Sequence, residues 1–273
     1  MRVISCISLS GGMGKTTCSF FLGLQLSKLG HKILLIDSDP QSNLSFYTAT
    51  TVDADEPTLL EVLKKDITTE DGIYETKHPN LWIIPSDDAL NNAQEYLANC
   101  GMGAVVLKKR LSLVSDLFDF CIIDSPPQRS QISLTVAGAA DWILIPSEVS
   151  SKGINSICRT LDLISEQAEI DAFNGQVLGV LPFRDRWVGR TQTTKSRESI
   201  ETIKLFLDQE QRAPLQNIEV LPSLIESEQF KKAMDSGKTL DDLGYGNLEY
   251  PFEYMSSLLS PLGQRPKRSL APF

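Results

Sequence analysis

Near the start of the chain, Leu9-Ser10-Gly11-Gly12-Met13-Gly14-Lys15-Thr16-Thr17 combines three glycines with a lysine and two threonines. These types and spacings suit a loop that wraps a phosphate. Glycines let the backbone curl and turn its N–H groups toward an anion. A helix starting after the loop adds partial positive charge at its N-terminus. Lys15 would reach the β- and γ-phosphates of a nucleotide, and the Thr16 hydroxyl would ligate Mg²⁺. The strict pattern G-x-x-x-x-G-K-[ST] asks for glycine where this chain has Leu9. The bland alternative is a glycine-rich turn without a ligand. Gly-Lys-Thr in register, with an apolar run before it and a helical pattern after it, favours the phosphate loop.

Two further stretches place carboxylates where such a site needs them. In Leu34-Leu35-Ile36-Asp37-Ser38-Asp39-Pro40-Gln41-Ser42-Asn43, two aspartates follow an apolar run. Carboxylates there can hold the water shell of a metal and orient an attacking water. Alone, the pair reads equally well as solvated turn residues before Pro40. In Phe120-Cys121-Ile122-Ile123-Asp124-Ser125-Pro126-Pro127, an apolar run ends in a single aspartate. This is a Walker B arrangement, with Asp124 placed to hold Mg²⁺ through water. The three stretches occur in chain order, each at the end of an apolar run, and reinforce one another.

Positioning them requires strands that end together. Short apolar runs recur at Val3–Leu9, Lys32–Ile36, Leu81–Pro85, Phe120–Ile123, Trp142–Pro146, Val177–Pro182 and Ile218–Pro222. Their length and near-continuous hydrophobicity predict strands covered on both faces. Helical patterns fall between them, at Lys15–Leu29, Leu59–Lys65, Ala89–Leu97, Val105–Leu117, Ile154–Gln167 and Arg197–Asp208. The alternation predicts a doubly wound α/β fold with a mostly parallel sheet, whose ligands bind outside the carboxyl ends of the strands. We expect one P-loop ATPase domain over residues 1–260. Residues 261–273, with Pro261, Pro266 and Pro272, read as a poorly ordered tail.

The bulk numbers narrow the class. The 273 residues are enough to bury a core without disulfides or metals. A net charge of −9 argues against a uniformly basic nucleic-acid binder but leaves room for a local basic face. The five cysteines form no C-x-x-C and read as reduced thiols. His31 and His78 show no metal-ligand spacing. The apolar N-terminus is too short to span a membrane and lacks signal-peptide architecture, so a cytoplasmic location is expected.

The stretches SGGMGKTT, LLIDSDPQSN and FDFCIIDSPP resemble those of the ParA/MinD group of deviant Walker ATPases. Gln41 after DSDP, together with AADWILIP, GVLPFRDR and VLPSLIESEQFKKAMDSGKTL, brings the resemblance closest to the ParA branch. It extends from Met1 to about Leu240. It implies ATP and Mg²⁺ as ligands, a face-to-face homodimer with ATP between the subunits, and slow hydrolysis. Residue by residue, it implies that Ser10, Gly11, Gly12, Met13, Gly14, Lys15, Thr16 and Thr17 cradle the nucleotide, with Lys15 on phosphate. It implies that Thr16, Asp37 and Asp124 support the metal and that Asp39 positions the hydrolytic water. Phe183, Arg184 and the loop after Pro222 would line the adenine.

One position departs from the group. Its loop begins Lys-Gly-Gly, and that signature lysine crosses the dimer to the partner's phosphates; here the position is Ser10. A serine brings no charge and cannot span an interface. Three readings compete: binding without turnover, turnover without that charge, or another lysine supplying it. We favour the third, with Lys152 in the loop after Trp142–Pro146 acting in trans, as an arginine finger does. The alternative for Lys152 is a surface lysine at a helix start. Serine at this position also makes the chain resemble the McdA subset, which spaces carboxysomes over the nucleoid with the help of a cargo-bound adaptor.

Between Arg184 and Lys204 stand six cations, Arg184, Arg186, Arg190, Lys195, Arg197 and Lys204, against three anions. Lys231, Lys232 and Lys238 follow, then Arg265, Lys267 and Arg268 in the tail. Charge alone allows either an ordinary solvated surface or a phosphate-contacting one. The resemblance favours non-specific binding of nucleoid DNA. It also implies a cargo-bound adaptor, McdB-like or ParB-like. MinD-type relatives end in an amphipathic membrane helix; this C-terminus has prolines and no sustained apolar stripe, so no membrane partner is expected. From other classes, a non-hydrolysing ATP-dependent binding module is the runner-up, and a small-molecule kinase is a distant third.

Overall fold

The computed structural model describes residues 1–259, apart from 51, 54, 211, 213 and 214. The tail expected at 261–273, with its three cations, lies outside the described residues. In chain order the strands are β1 (Arg2–Cys6), β2 (Ile33–Asp37), β3 (Tyr74–Glu75), β4 (Leu81–Ile84), β5 (Phe120–Asp124), β6 (Trp142–Glu148), β7 (Gln176–Asp185), β8 (Trp187–Val188), β9 (Thr191–Gln192) and β10 (Leu224–Ile225). The helices are α1 (Lys15–Lys28), α2 (Asn43–Tyr47), α3 (Leu59–Lys64), α4 (Ala93–Asn99), α5 (Val106–Leu111), α6 (Gln131–Ala139), α7 (Ser151–Glu169), α8 (Thr194–Asp208), α9 (Gln229–Ser236) and α10 (Tyr250–Leu259).

Among the described residues, eight strands form one sheet in the order β10-β7-β6-β1-β5-β2-β4-β3, and β8 and β9 form a separate hairpin. Every ladder in the large sheet is parallel except β3 on β4. Every residue of β2 and β5 is buried, as helices on both faces require. Alternate residues feed two layers. Val3, Leu34, Ile36, Cys121 and Ile123 pack toward α3, α6, α7 and α8. Ile4, Leu35, Ile122 and Leu144 pack toward α1, α9 and α10, where Phe21 stacks near Phe230 and Phe252.

Register brings the chemistry together. Asp37 pairs with Asp124 across the β2–β5 ladder, and Cys6 of β1 pairs with Asp124 from the other side. Two carboxylates therefore sit side by side at the carboxyl ends of neighbouring strands, and the glycine loop leaves β1 beside them. The strand order turns around β1, the topological switch point where such sheets open a crevice.

Three sequence expectations need correcting. Ile218–Pro222 is not a strand; it makes a single bridge, Val180 to Val220, and the strand pairing with β7 is β10. Pro222 lacks an N–H and cannot continue the ladder. The helix expected at 105–117 shortens to α5 between two 3₁₀ turns. There Ser112 and Ser115 donate to carbonyls three residues back, competing with the helical ladder. The helix expected at 89–97 begins as a 3₁₀ turn for the same reason, with the Asn91 amide bonded to the Asp88 carbonyl. α6 went unforeseen because all but two of its nine residues are buried, which leaves no polar stripe to mark it.

Candidate functional site

The loop Ser10–Gly14 joins β1 to α1, and Gly14 is the helix N-cap. Gly12 and Gly14 take φ of 81° and 93°, in the left-handed region that side chains disfavour. A Cβ on Gly11 or Gly12 would meet nothing within 4 Å, so this backbone faces open space. The first turn of α1 leaves its N–H groups without intrahelical partners. An open, left-handed backbone at a helix start is the geometry that seats an anion.

Side chains pin the loop from behind. Met13 is buried, and its Sδ accepts the Glu148 N–H at 3.4 Å. Lys15 is 7% exposed and arches back so that Nζ donates to the Ser10 carbonyl at 3.1 Å. Burial lowers the Lys15 pKa, while Asp124 and then Asp39 oppose the shift. Asp124 is pushed up to about 8 by burial and by the neighbouring Asp37, with the Thr16 hydroxyl bonding it in the other direction. Ser19 donates to Asp124 at 3.4 Å. Asp37 is pushed up to about 6 by burial, against hydrogen bonds from Ser45 and the Asp39 N–H. Both Ser45 donors lie 2.8 Å from one Asp37 oxygen, and the Asp39 N–H lies 3.2 Å from the other.

Buried carboxylates beside one lysine make a site short of positive charge. Mg²⁺ takes one or two carboxylates, substrate phosphates and water. The Thr16 hydroxyl and Asp124 fit that role. Asp37 already has both oxygens engaged, which suits holding the β2 end and the following turn in place. No group of three or more His, Cys, Asp or Glu among the described residues could hold a metal unaided. A metal here must therefore be completed by phosphate and water.

The pocket in front of the loop, about 400 Å³, is lined by Gly11 through Thr17, Asp39, Phe183 and Arg184. Gln41, Asn43, Tyr47, Pro127 and Met234 complete its wall. Phe183 presses on the loop so closely that a Cβ on Gly14 would lie 2.7 Å from its ring. Arg184 caps that ring at 5.5 Å and pairs with Glu148 at 3.3 Å. Ser10, Asp37 and Asp124 stand behind this lining rather than in it. Pro222 lines a separate groove with Gln192 and Tyr254. Tyr47 and Met234 were not legible as site residues. Tyr47 ends the short helix after the second motif, and Met234 comes from α9, inside a stretch that carries the family resemblance but names no site residue.

Lys152, exposed in the first turn of α7, donates to the Gly11 carbonyl of its own chain at 2.9 Å. The basic residues do not gather on one face of this subunit. α8, with Lys195, Arg197 and Lys204, packs on one layer, and α9, with Lys231 and Lys232, packs on the other. Arg184, Arg186 and Lys204 are paired with Glu148, Glu226 and Glu201. Lys195, Arg197, Lys231 and Lys232 are exposed, as are Arg190 and Lys238. No helix of the described residues is long and apolar enough to cross a membrane.

Comparison with known proteins agrees with this architecture. A family model described as an AAA domain matches residues 1–173. The chain is 53% identical over 263 residues to maintenance of carboxysome distribution protein A of Synechococcus elongatus, covering 96% of this chain and all of that protein. It is 29% identical to the sporulation initiation inhibitor protein Soj of Bacillus subtilis, over 67% of this chain and 74% of that protein. A solved structure of an aspartate-to-alanine variant of Cyanothece McdA in complex with ATP superposes with a TM-score of 0.89 at 47% identity, covering 97% of this chain and 99% of that one. With its deviant phosphate loop, paired strand-end aspartates and near full-length similarity to these proteins, the chain belongs to the McdA family of ParA-type deviant Walker P-loop ATPases.

Proposed function

We propose that this protein is a positioning ATPase that distributes carboxysomes over the nucleoid. Two copies close face to face on ATP, the dimer binds DNA non-specifically, and hydrolysis stimulated by a cargo-bound, McdB-like adaptor releases it. The observation that carries the reading is the open left-handed loop Gly11–Gly14 with Lys15 buried beside Asp124, in a chain similar over nearly its whole length to a carboxysome distribution protein.

Lys15 and the loop N–H groups hold the β- and γ-phosphates. Thr16 and Asp124 would hold Mg²⁺, which would supply charge neutralisation at the phosphates. Asp39 lines the pocket, half exposed, with its Oδ1 fixed by the Gln41 N–H at 3.0 Å, and orients the attacking water. Phe183 and Arg184 form the adenine side. Pro222 and Ser223 line the separate groove instead, so this side rests on Phe183 and Arg184. Hydrolysis is slow because little in one subunit completes the charge around the γ-phosphate.

The charge missing at Ser10 comes from Lys152 of the opposing subunit. Its exposure, and its existing reach to the phosphate loop of its own chain, support a side chain that exchanges the Gly11 carbonyl for a phosphate across the dimer. Lys152→Ala is expected to abolish ATP-dependent dimerisation, followed by light scattering, and to remove turnover while monomeric ATP binding persists. If dimerisation and hydrolysis both survive, the assignment is wrong. Ser10 itself favours the second reading, an ATP-dependent binding module without turnover. Phosphate release by the wild-type protein, with and without DNA, separates the two.

A further inference from the structure

We propose that Asp185 is a positioning residue that couples the mouth of the nucleotide pocket to the exposed β8–β9 hairpin, a role that rests on the nucleotide reading above. Asp185 ends β7 and is fully buried, yet three side chains converge on its carboxylate. Trp187 donates from Nε1 at 3.0 Å, Gln192 from Nε2 at 3.0 Å to each oxygen, and Ser223 from its hydroxyl at 2.6 Å. The Asp185 carbonyl also accepts the Glu226 N–H at 2.8 Å. One residue thereby holds β8, β9 and the segment around β10.

These side-chain donors are all neutral. The two arginines that flank it in sequence, Arg184 and Arg186, are committed to Glu148 and Glu226. Burying a carboxylate without a cation is an expensive way to secure stability alone. The arrangement makes more sense as a fixed hub, in which a satisfied network specifies one geometry. The hairpin needs such a hub. Its strands are two residues each and lie outside the large sheet, and an isolated hairpin is marginal in water. Its tip presents Val188, 75% exposed, beside Gly189 at φ 57°.

The hub is joined to the pocket by the chain itself. Phe183 and Arg184, the two residues before Asp185, line the pocket, and Phe183 abuts Gly14. Arg184 has φ of 61°, a left-handed conformation that a bulky residue keeps only when its surroundings determine it. Glu148 holds its side chain, and Asp185 fixes the backbone after it. A nucleotide that shifts Phe183–Arg184 must turn the backbone entering Asp185, and with it the Trp187 ring and the hairpin. Gln192 and Ser223 also line the groove between α8 and α10, so the same shift reaches that surface.

Trp187 supplies the readout. The chain has three tryptophans, and Trp82→Phe with Trp142→Phe leaves Trp187 as the sole tryptophan. This reporter is titrated with Mg²⁺-ATP while binding of radiolabelled ATP is followed by equilibrium dialysis. We expect a saturable change in Trp187 emission that tracks binding. Asp185→Asn should lose that change while ATP affinity is retained, and Ser223→Ala should reduce it. The second variant keeps the test open if Asp185→Asn does not fold. The coupling alone is overturned if ATP binds the reporter without an emission change, or if both Asp185→Asn and Ser223→Ala respond like the parent. If the reporter binds no ATP, the nucleotide reading itself falls, and the coupling with it.

Discussion

At the scale of single residues, the site is a problem of charge. Asp37 and Asp124 are adjacent, buried and raised in pKa, with Lys15 as the cation beside them. Lys15→Ala removes that cation and, on the proposed reading, a phosphate ligand. ATP binding is expected to fall by at least about tenfold, equivalent to about 1.4 kcal/mol, as read by a fluorescent ATP analogue. Asp39→Ala is expected to leave binding intact and stop turnover, so an ATP-bound dimer should accumulate in size-exclusion chromatography; normal phosphate release would remove Asp39 from the mechanism. Ser45→Ala deletes one of the donors that hold Asp37. The loss is expected to cost about 1.5–3 kcal/mol in urea unfolding, because a hydrogen bond to a charged group is worth that much.

Elements fix where those residues point. The start of α7 packs so closely on the end of β6 that a Cβ on Gly153 would sit 1.9 Å from the Glu148 carbonyl. Glu148 in turn binds Met13 through its N–H and Arg184 through its carboxylate. The start of α7 is thus one assembly with the loop and the pocket wall. Gly153→Ala is expected to displace Lys152 from Gly11, destabilise the fold by about 1–3 kcal/mol as overpacking does, and weaken ATP-dependent dimerisation. Thermal unfolding and light scattering check the two parts separately. A similar argument holds at Gly14, where left-handed backbone and the Phe183 ring both exclude a side chain. Gly14→Ala should impair ATP binding even where the protein folds.

For the whole molecule, the question is how a chain of net charge −9 would bind DNA as proposed. Within one subunit, the exposed cations of α8 and α9 belong to opposite layers. On the proposed reading, a DNA-binding surface would be assembled by apposing two copies, which would make binding depend on ATP. Binding of unrelated DNA duplexes should require Mg²⁺-ATP and weaken steeply with salt. Lys195→Ala and Arg197→Ala should each lower the slope of log affinity against log salt by about 1 if each contacts one phosphate. An unchanged slope in fluorescence anisotropy would place the DNA surface elsewhere.

Much of this was legible in the linear chain, because the relevant groups are neighbours along it. Gly11 to Thr17 are consecutive, and a short buried strand carries its aspartate to a known end. Local pattern therefore determined the phosphate loop, the two aspartate-bearing strand ends and the parallel α/β class. The misreadings also had local causes: Pro222 ended a ladder that hydrophobicity suggested, and serines shortened a helix that periodicity extended. What the sequence could not display were relations between distant residues. The register that sets Asp37 beside Asp124, the packing of Phe183 on Gly14 and the reach of Lys152 to Gly11 all join separate strands and helices. Asp185 gathers Gln192 from seven residues away and Ser223 from 38. Such partners carry no mutual signature in sequence, because only the closing of the sheet and the burial of its faces bring them within hydrogen-bonding distance.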